Sequence, residues 1–294
     1  MRLLLSFFIF SLIYIIPLNI YAQDESEETL LLDNLKHMQE QTPYYDISNS
    51  GYWREAARHF PRMLVAPLEW SDEEWLNAAT VISIGYGVYL SDEKVRELAQ
   101  EEGAQEFNEQ FTHHVEHLGR GVVVLPSLGL LYAIGNLTEN ERLKKVSLLG
   151  FESATYSTLI TMALKRLSGR DRPGEDVSHD GWNFFDSWSV KGSVEKAFPS
   201  GHTNLAFSVA TVIAEEYQDY QLIPYVVYGL AGATATQRVL DDKHWASDVF
   251  AGALIGHFTA KAIMGYHQEN EKRVQLIPLV ENRDNYSLNF AIRF

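Results

Sequence analysis

Two helix starts are spelled out in this chain and set the terms for everything else. Ser71-Asp72-Glu73-Glu74 and Thr138-Glu139-Asn140-Glu141 both match the capping box, in which a hydroxyl and the carboxylate three residues later each satisfy a free backbone amide. They predict helices beginning near Asp72 and near Glu139. Apolar periodicity adds helical stretches from Asp92 to about His117, Gly121 to Ile134, Ser200 to Tyr217, Leu222 to about Val239 and His244 to Tyr266. Gly252 and Gly256 share one face of the last of these and would let another helix approach closely. The expected fold class is all-α, a helical bundle.

The two ends read differently. Arg2 precedes an apolar run from Leu3 to Leu18, and Ile20-Tyr21-Ala22 offers a cleavage point before the acidic stretch Gln23 to Glu28. Residues 1–22 are therefore expected to be a secretory signal, cleaved rather than kept as a membrane anchor, which places the protein in the periplasm or at the cell surface. At the other end, Tyr286, Leu288, Phe290, Ile292 and Phe294 alternate with Ser287, Asn289, Ala291 and Arg293. With Val274 to Val280 they predict a short C-terminal β-hairpin packed on the bundle, far too few strands for a barrel. The expected division is residues 1–22, an N-terminal helical region 23–118, a core 119–267 and a tail 268–294.

A formal charge of -15 argues against a nucleic-acid binder or a basic membrane-binding face. The absence of cysteine excludes disulfides and thiolate metal sites. Stretches free of Asp, Glu, Lys and Arg barely reach the length of a membrane span and are interrupted by Pro126, Pro199 or Pro224. Glu152, Glu215 and Glu216 would sit badly in lipid. A soluble or surface-bound bundle is expected, open to association at a membrane surface, with a polytopic membrane enzyme as the alternative.

Against that acidic background, Lys165, Arg166, Arg170 and Arg172 fall within eight residues, a cluster better suited to an anion than to a solvated helix end. Two further segments carry polar chemistry: Pro199-Ser200-Gly201-His202, and Arg238 followed after five residues by His244 and after three more by Asp248. Lys165, Arg172 and Arg238 supply cations for a phosphate ester, whose charged oxygens must be held while a nucleophile approaches in line. Ser200 and the Gly201 amide, at a helix start, would face an oxyanion. Alone, Pro-Ser-Gly would be a plain helix cap. His244 and Asp248 would share a helix face, so that Asp248 fixes the ring and leaves its other nitrogen free to attack phosphorus. His202 would protonate the leaving group and later activate water. His113, His114 and His117 have helical spacing, but surface or packing roles are expected of them and no metal site is. Between the first two segments, Trp182, Phe184, Phe185 and Trp188 form either a pocket wall or a hydrophobic plug.

The three segments, in this order and with these spacings, resemble the type 2 phosphatidic acid phosphatase superfamily, which includes bacterial acid phosphatases, glucose-6-phosphatase and vanadium haloperoxidases. The resemblance covers roughly Gly119 to Tyr266. It implies a bundle of the PAP2 and haloperoxidase type. It also implies catalytic roles for His244, His202 and Asp248, and phosphate binding by Lys165, Arg172, Ser200, Gly201 and Arg238. The third motif of the family usually begins Ser-Arg, whereas Gln237 stands before Arg238 here. The function expected is metal-independent hydrolysis of a phosphate monoester, lipid or small and soluble, through a phosphohistidine. No cofactor is implied, although vanadate would mimic phosphate. The alternatives are a vanadium haloperoxidase and a non-catalytic phosphate- or lipid-binding protein; the first needs peroxide chemistry, and the second would be marked by a missing site residue. Oligomeric state is not written in the sequence.

Overall fold

The computed structural model describes residues 44–109, 113–174, 178–185, 196–282 and 285–292. The leader-like segment and Trp188 lie outside the described residues. Among those described, nine α-helices are followed by one hairpin.

Helix α1 (Ser50–Val65) is capped by Asn49, whose side-chain oxygen accepts from the amides of Gly51 and Tyr52. The complete capping box of Ser71 and Glu74 opens α2 (Asp72–Leu90), as the sequence predicts. The stretch expected from Asp92 to His117 is instead broken into α3 (Asp92–Ala99), α4 (Glu102–Phe107) and a 3-10 turn (His113–Gly119). Side chains drive the break. Gln105 donates to the carbonyls of Ala99 and Leu240, and Gln100 also donates to Leu240, so backbone acceptors find partners that a continuous helix would not supply.

Helix α5 (Gly121–Leu137) is followed by α6 (Glu141–Ser168), which starts later than its sequence suggests. The Thr138 hydroxyl turns back to the Ile134 carbonyl, Glu139 adopts a left-handed φ of 53°, and Asn140 becomes the cap by accepting from the Leu143 amide at 3.0 Å. At the far end Gly169, with φ 56°, reverses the chain as a left-handed cap. The bundle is completed by α7 (Gly201–Glu216), α8 (Leu222–Leu240) and α9 (Ala246–Arg273). β1 (Val274–Asn282) and β2 (Asn285–Ile292) pair antiparallel with Val274 opposite Ile292, so the expected hairpin forms.

Helix α7 is the centre, in contact with α6, α8 and α9. Val124, Leu128, Ala154 and Leu205 join α5, α6 and α7, and Ala206, Ala210 and Ala231 join α7 to α8. Against α9 the approach is tighter still. A Cβ on Gly256 would lie 2.2 Å from the Asn204 carbonyl oxygen, and one on Gly252 2.5 Å from that of Ser200. Only glycine lets α9 lie this close to the start of α7. Tyr52, Ala56 and Leu148 seat α1 against α6, and residues 44–294 form one unit. No helix among the described residues is long and apolar enough to cross a membrane.

Candidate active site

The last turn of α6 holds Lys165, and the reversal at Gly169 carries Arg170 and Arg172 back past it. Lys165 is buried, and its Nζ donates to the carbonyls of Lys196 at 2.5 Å and Ala197 at 3.3 Å, just ahead of Pro199. Burial, reinforced by the Arg172 cation, pushes its pKa down to about 7.

Helix α7 begins at the second segment. The Ser200 amide donates to the Asp248 carbonyl at 2.9 Å, and the Ser200 hydroxyl accepts from Thr203 at 3.0 Å. Ser200 makes no side-chain cap bond to the backbone, so the plain-cap role is not the one it performs here. His202 follows in the first turn. Burial, then the cations of Arg238, Arg120 and Arg172, push its pKa down to about 4 against the opposing charge of Glu116.

The third segment runs from the end of α8 into the loop before α9. Arg238 is buried and lies 3.2 Å from Glu116; its Nη1 also donates to Gln237 Oε1 at 3.2 Å, while its Nε has no partner. Gln237 thus offers an acceptor to the arginine beside it. Glu116 is held below its ordinary carboxylate value: burial works in the opposite direction, but the Arg120 hydrogen bond and the Arg238 charge outweigh it.

His244 lies just before α9 rather than on it. Its Nδ1 is 3.7 Å from Asp248, beyond hydrogen-bond reach, and is buried without a partner. Asp248 is committed elsewhere: one oxygen accepts from the Trp245 amide at 2.8 Å, the other from Arg170 at 2.7 Å. The shared helix face expected of the pair is therefore replaced by a loop and a first helical turn. Burial, then the charges of Lys165, Arg172, Arg238 and His202, hold the His244 pKa well below its usual value. Burial also raises Asp248, against the pull of Arg170. All three segments meet around His244.

Sequence reasoning missed the support beneath this cluster. Arg170, fully buried, donates to Asp248, Ser247, Asp92 and the His179 carbonyl, and its guanidinium lies over the rings of Tyr89, Trp182 and Trp245. Asp92, at the start of α3, accepts from the Ser247 amide at 2.8 Å and the Ser247 hydroxyl at 2.6 Å. It caps α9 from another helix. Arg170 sat in the cationic cluster, but nothing local in Ser91-Asp92-Glu93 reveals a partner 78 residues away. Trp182 serves this support, whereas Phe184 and Phe185 are 63% and 58% exposed. The side chains of His113 and His114 lie outside the described residues, and His117 sits in the 3-10 turn.

The sequence model of the PAP2 superfamily matches residues 148–272. A lipid A 1-phosphatase from Porphyromonas gingivalis is 39% identical over 69 residues, covering 22% of this chain and 15% of that protein. A probable diacylglycerol pyrophosphate phosphatase 1 from Schizosaccharomyces pombe is 28% identical over 178 residues, covering 50% and 62%. The chain thus spans less than two thirds of either relative. Among solved structures, Aquifex aeolicus LpxE aligns over 60% of this chain and 95% of its own, with 22% identity and a TM-score of 0.42. A transmembrane PAP2 type phosphatidylglycerolphosphate phosphatase from Bacillus subtilis aligns over 65% and 96%, with 17% identity and a TM-score of 0.48.

Proposed function

Starting from residues 148–272 as a PAP2 superfamily segment, we propose that the protein is a phosphatase acting on a lipid phosphate by way of a phosphohistidine. The observation that carries this reading is the convergence of Lys165, Arg172, Arg238 and His202 on one buried imidazole, His244. Three cations and the free amides at the start of α7 hold the phosphoryl oxygens, which is most of what such a transfer requires. His244, neutral because it is buried and its surroundings are cationic, attacks phosphorus through the nitrogen facing away from Asp248. The N–P bond forms as the ester P–O bond breaks, and His202 passes its proton to the departing alkoxide. A water, deprotonated by His202, then cleaves the N–P bond and releases phosphate. In this sequence the His244 Nδ1–H turns to Asp248, closing the 3.7 Å gap.

A lipid substrate suits both the names of the relatives and the outer surface. Trp75, Leu76, Ile82 and Leu90 on α2, and Val122 and Leu130 on α5, expose large apolar side chains. Such surfaces belong at a membrane face, and the leader-like N-terminus fits an exported, membrane-associated enzyme.

Purified protein assayed in EDTA against phosphatidic acid and an aryl phosphate tests the reading. Turnover is expected to persist, to vanish in His244→Ala, and to be inhibited by vanadate. Acid-quenched His202→Ala should carry phosphate on His244 when given an activated ester. Full activity in His244→Ala, phosphate on Ser200, or a strict requirement for added magnesium overturns it.

A further inference from the structure

A second polar cluster lies deep in the bundle, and phosphate chemistry makes no use of it. Glu152 of α6, His59 of α1 and His267 of α9 are all buried. His59 Nδ1 lies 2.7 Å from one carboxylate oxygen, and His267 Nε2 lies 2.9 Å from the other. One ligand atom from each residue falls within 4.8 Å of the others. We propose that His59, Glu152 and His267 bind a zinc ion that locks α1 onto the core of the bundle.

The donor set comes first. Two imidazoles and one carboxylate are the three protein ligands of zinc sites whose fourth position is filled by water, with bonds of about 2.0–2.1 Å that place tetrahedral ligands roughly 3.3 Å apart. The His59 and His267 contacts to Glu152, at 2.7 and 2.9 Å, would lengthen by about half an ångström, and the two imidazole nitrogens, within 4.8 Å of each other, would settle to the same spacing. The surrounding groups orient these ligands as a metal would require. Tyr44 Oη lies 2.9 Å from His267 Nδ1 and fixes that ring with Nε2 toward the carboxylate, while the Tyr52 hydroxyl donates to Glu152 at 3.0 Å. The Tyr52 ring also stacks on His267 at 5.2 Å.

Without a metal each imidazole can give its own N–H to one oxygen of Glu152. Zinc binds neutral imidazole and ionised carboxylate, so its entry would shift the ring protons to His267 Nδ1, which faces Tyr44, and to His59 Nε2. The ligands come from three helices far apart in sequence, so the ion would act as a cross-link. Along α6 this cluster is about 20 Å from Lys165, and along α9 about 28 Å from Asp248. The proposal is therefore independent of the phosphatase reading.

The test uses the full chain, expressed with zinc in the medium, purified without a metal-affinity column and dialysed against metal-free buffer. Elemental analysis should find about one zinc per chain. A tight chelator should lower the melting temperature, and added zinc should restore it. Glu152→Gln and His267→Gln should abolish retention. If these fail to fold, Tyr44→Phe, which removes only a hydroxyl, should weaken zinc about 10-fold to 100-fold. None of these readouts needs a substrate. A wild-type chain that holds no zinc and melts at the same temperature with zinc or chelator overturns the proposal. Retention undiminished in both Glu152→Gln and Tyr44→Phe does so as well.

Discussion

Lys165 must be charged to hold an anion, yet burial beside Arg172 lowers its pKa to about 7. A depressed base carries its proton only below that value, so the free site loses a cation as pH rises through neutrality. Sulfate, whose charge is constant over this range, should then inhibit progressively less well above about pH 7, by about tenfold per unit. Competition measured from about pH 6 to about pH 9 checks this, and a flat inhibition constant would exclude Lys165 from the anion site. His202, at about 4 in the free protein, is neutral under the same conditions. Its acid role requires a proton brought by a substrate monoanion or held by the negative charge of the bound phosphate. Both effects move the optimum of kcat/KM to the acid side of neutral, and a rate climbing into alkaline pH would contradict the histidine pair. Residues of this kind were legible because charge and spacing survive in the linear sequence. Arg170 was visible as a charge but not as a support, since what distinguishes it from Arg172 is the set of partners that folding brings to it.

Helix α9 shows what an element needs beyond its own residues. Its first turn is capped by Asp92, and its flank is held against α7 by glycines at 252 and 256. Replacing Asp92 with alanine leaves Arg170 with a buried, partly unpaired cation and the Ser247 amide bare. That should cost about 3–5 kcal/mol of stability in urea denaturation, and a loss below about 1 kcal/mol would show that water takes over the role. Gly256→Ala places its methyl against the backbone of Asn204 and Ser208, which cannot step aside as a side chain can. A loss of about 1–3 kcal/mol is expected, with catalysis impaired through the displaced start of α7. The glycine pair was readable from its spacing, and most helices from their period. The breaks between α3 and α4 and the late start of α6 were not, because each is decided by a side chain, Gln105 or Asn140, choosing among competing backbone partners.

At the scale of the whole molecule, an acidic chain of net charge -15 presents apolar side chains on α2 and α5 to its surroundings. Association with neutral phosphatidylcholine vesicles should therefore be little weakened by salt, because apolar contact rather than charge drives it. Replacing Ile82 and Leu90 together with Ser should reduce co-flotation with vesicles while leaving hydrolysis of a soluble aryl phosphate intact. Equal co-flotation of both proteins would remove α2 from the membrane face. The capping of α9 by Asp92 bears on something different, namely how such a protein can be taken apart. The segment that matches a known family begins at residue 148, and a gene cut ahead of it near Gly119 would keep every residue proposed for the reaction. It would also leave Arg170 without one carboxylate and α9 without its cap. The piece that holds the residues proposed for the chemistry is consequently smaller than the piece that can be inherited, transplanted or trimmed as a unit, which must include α3 and, with its buried Tyr52, α1 as well.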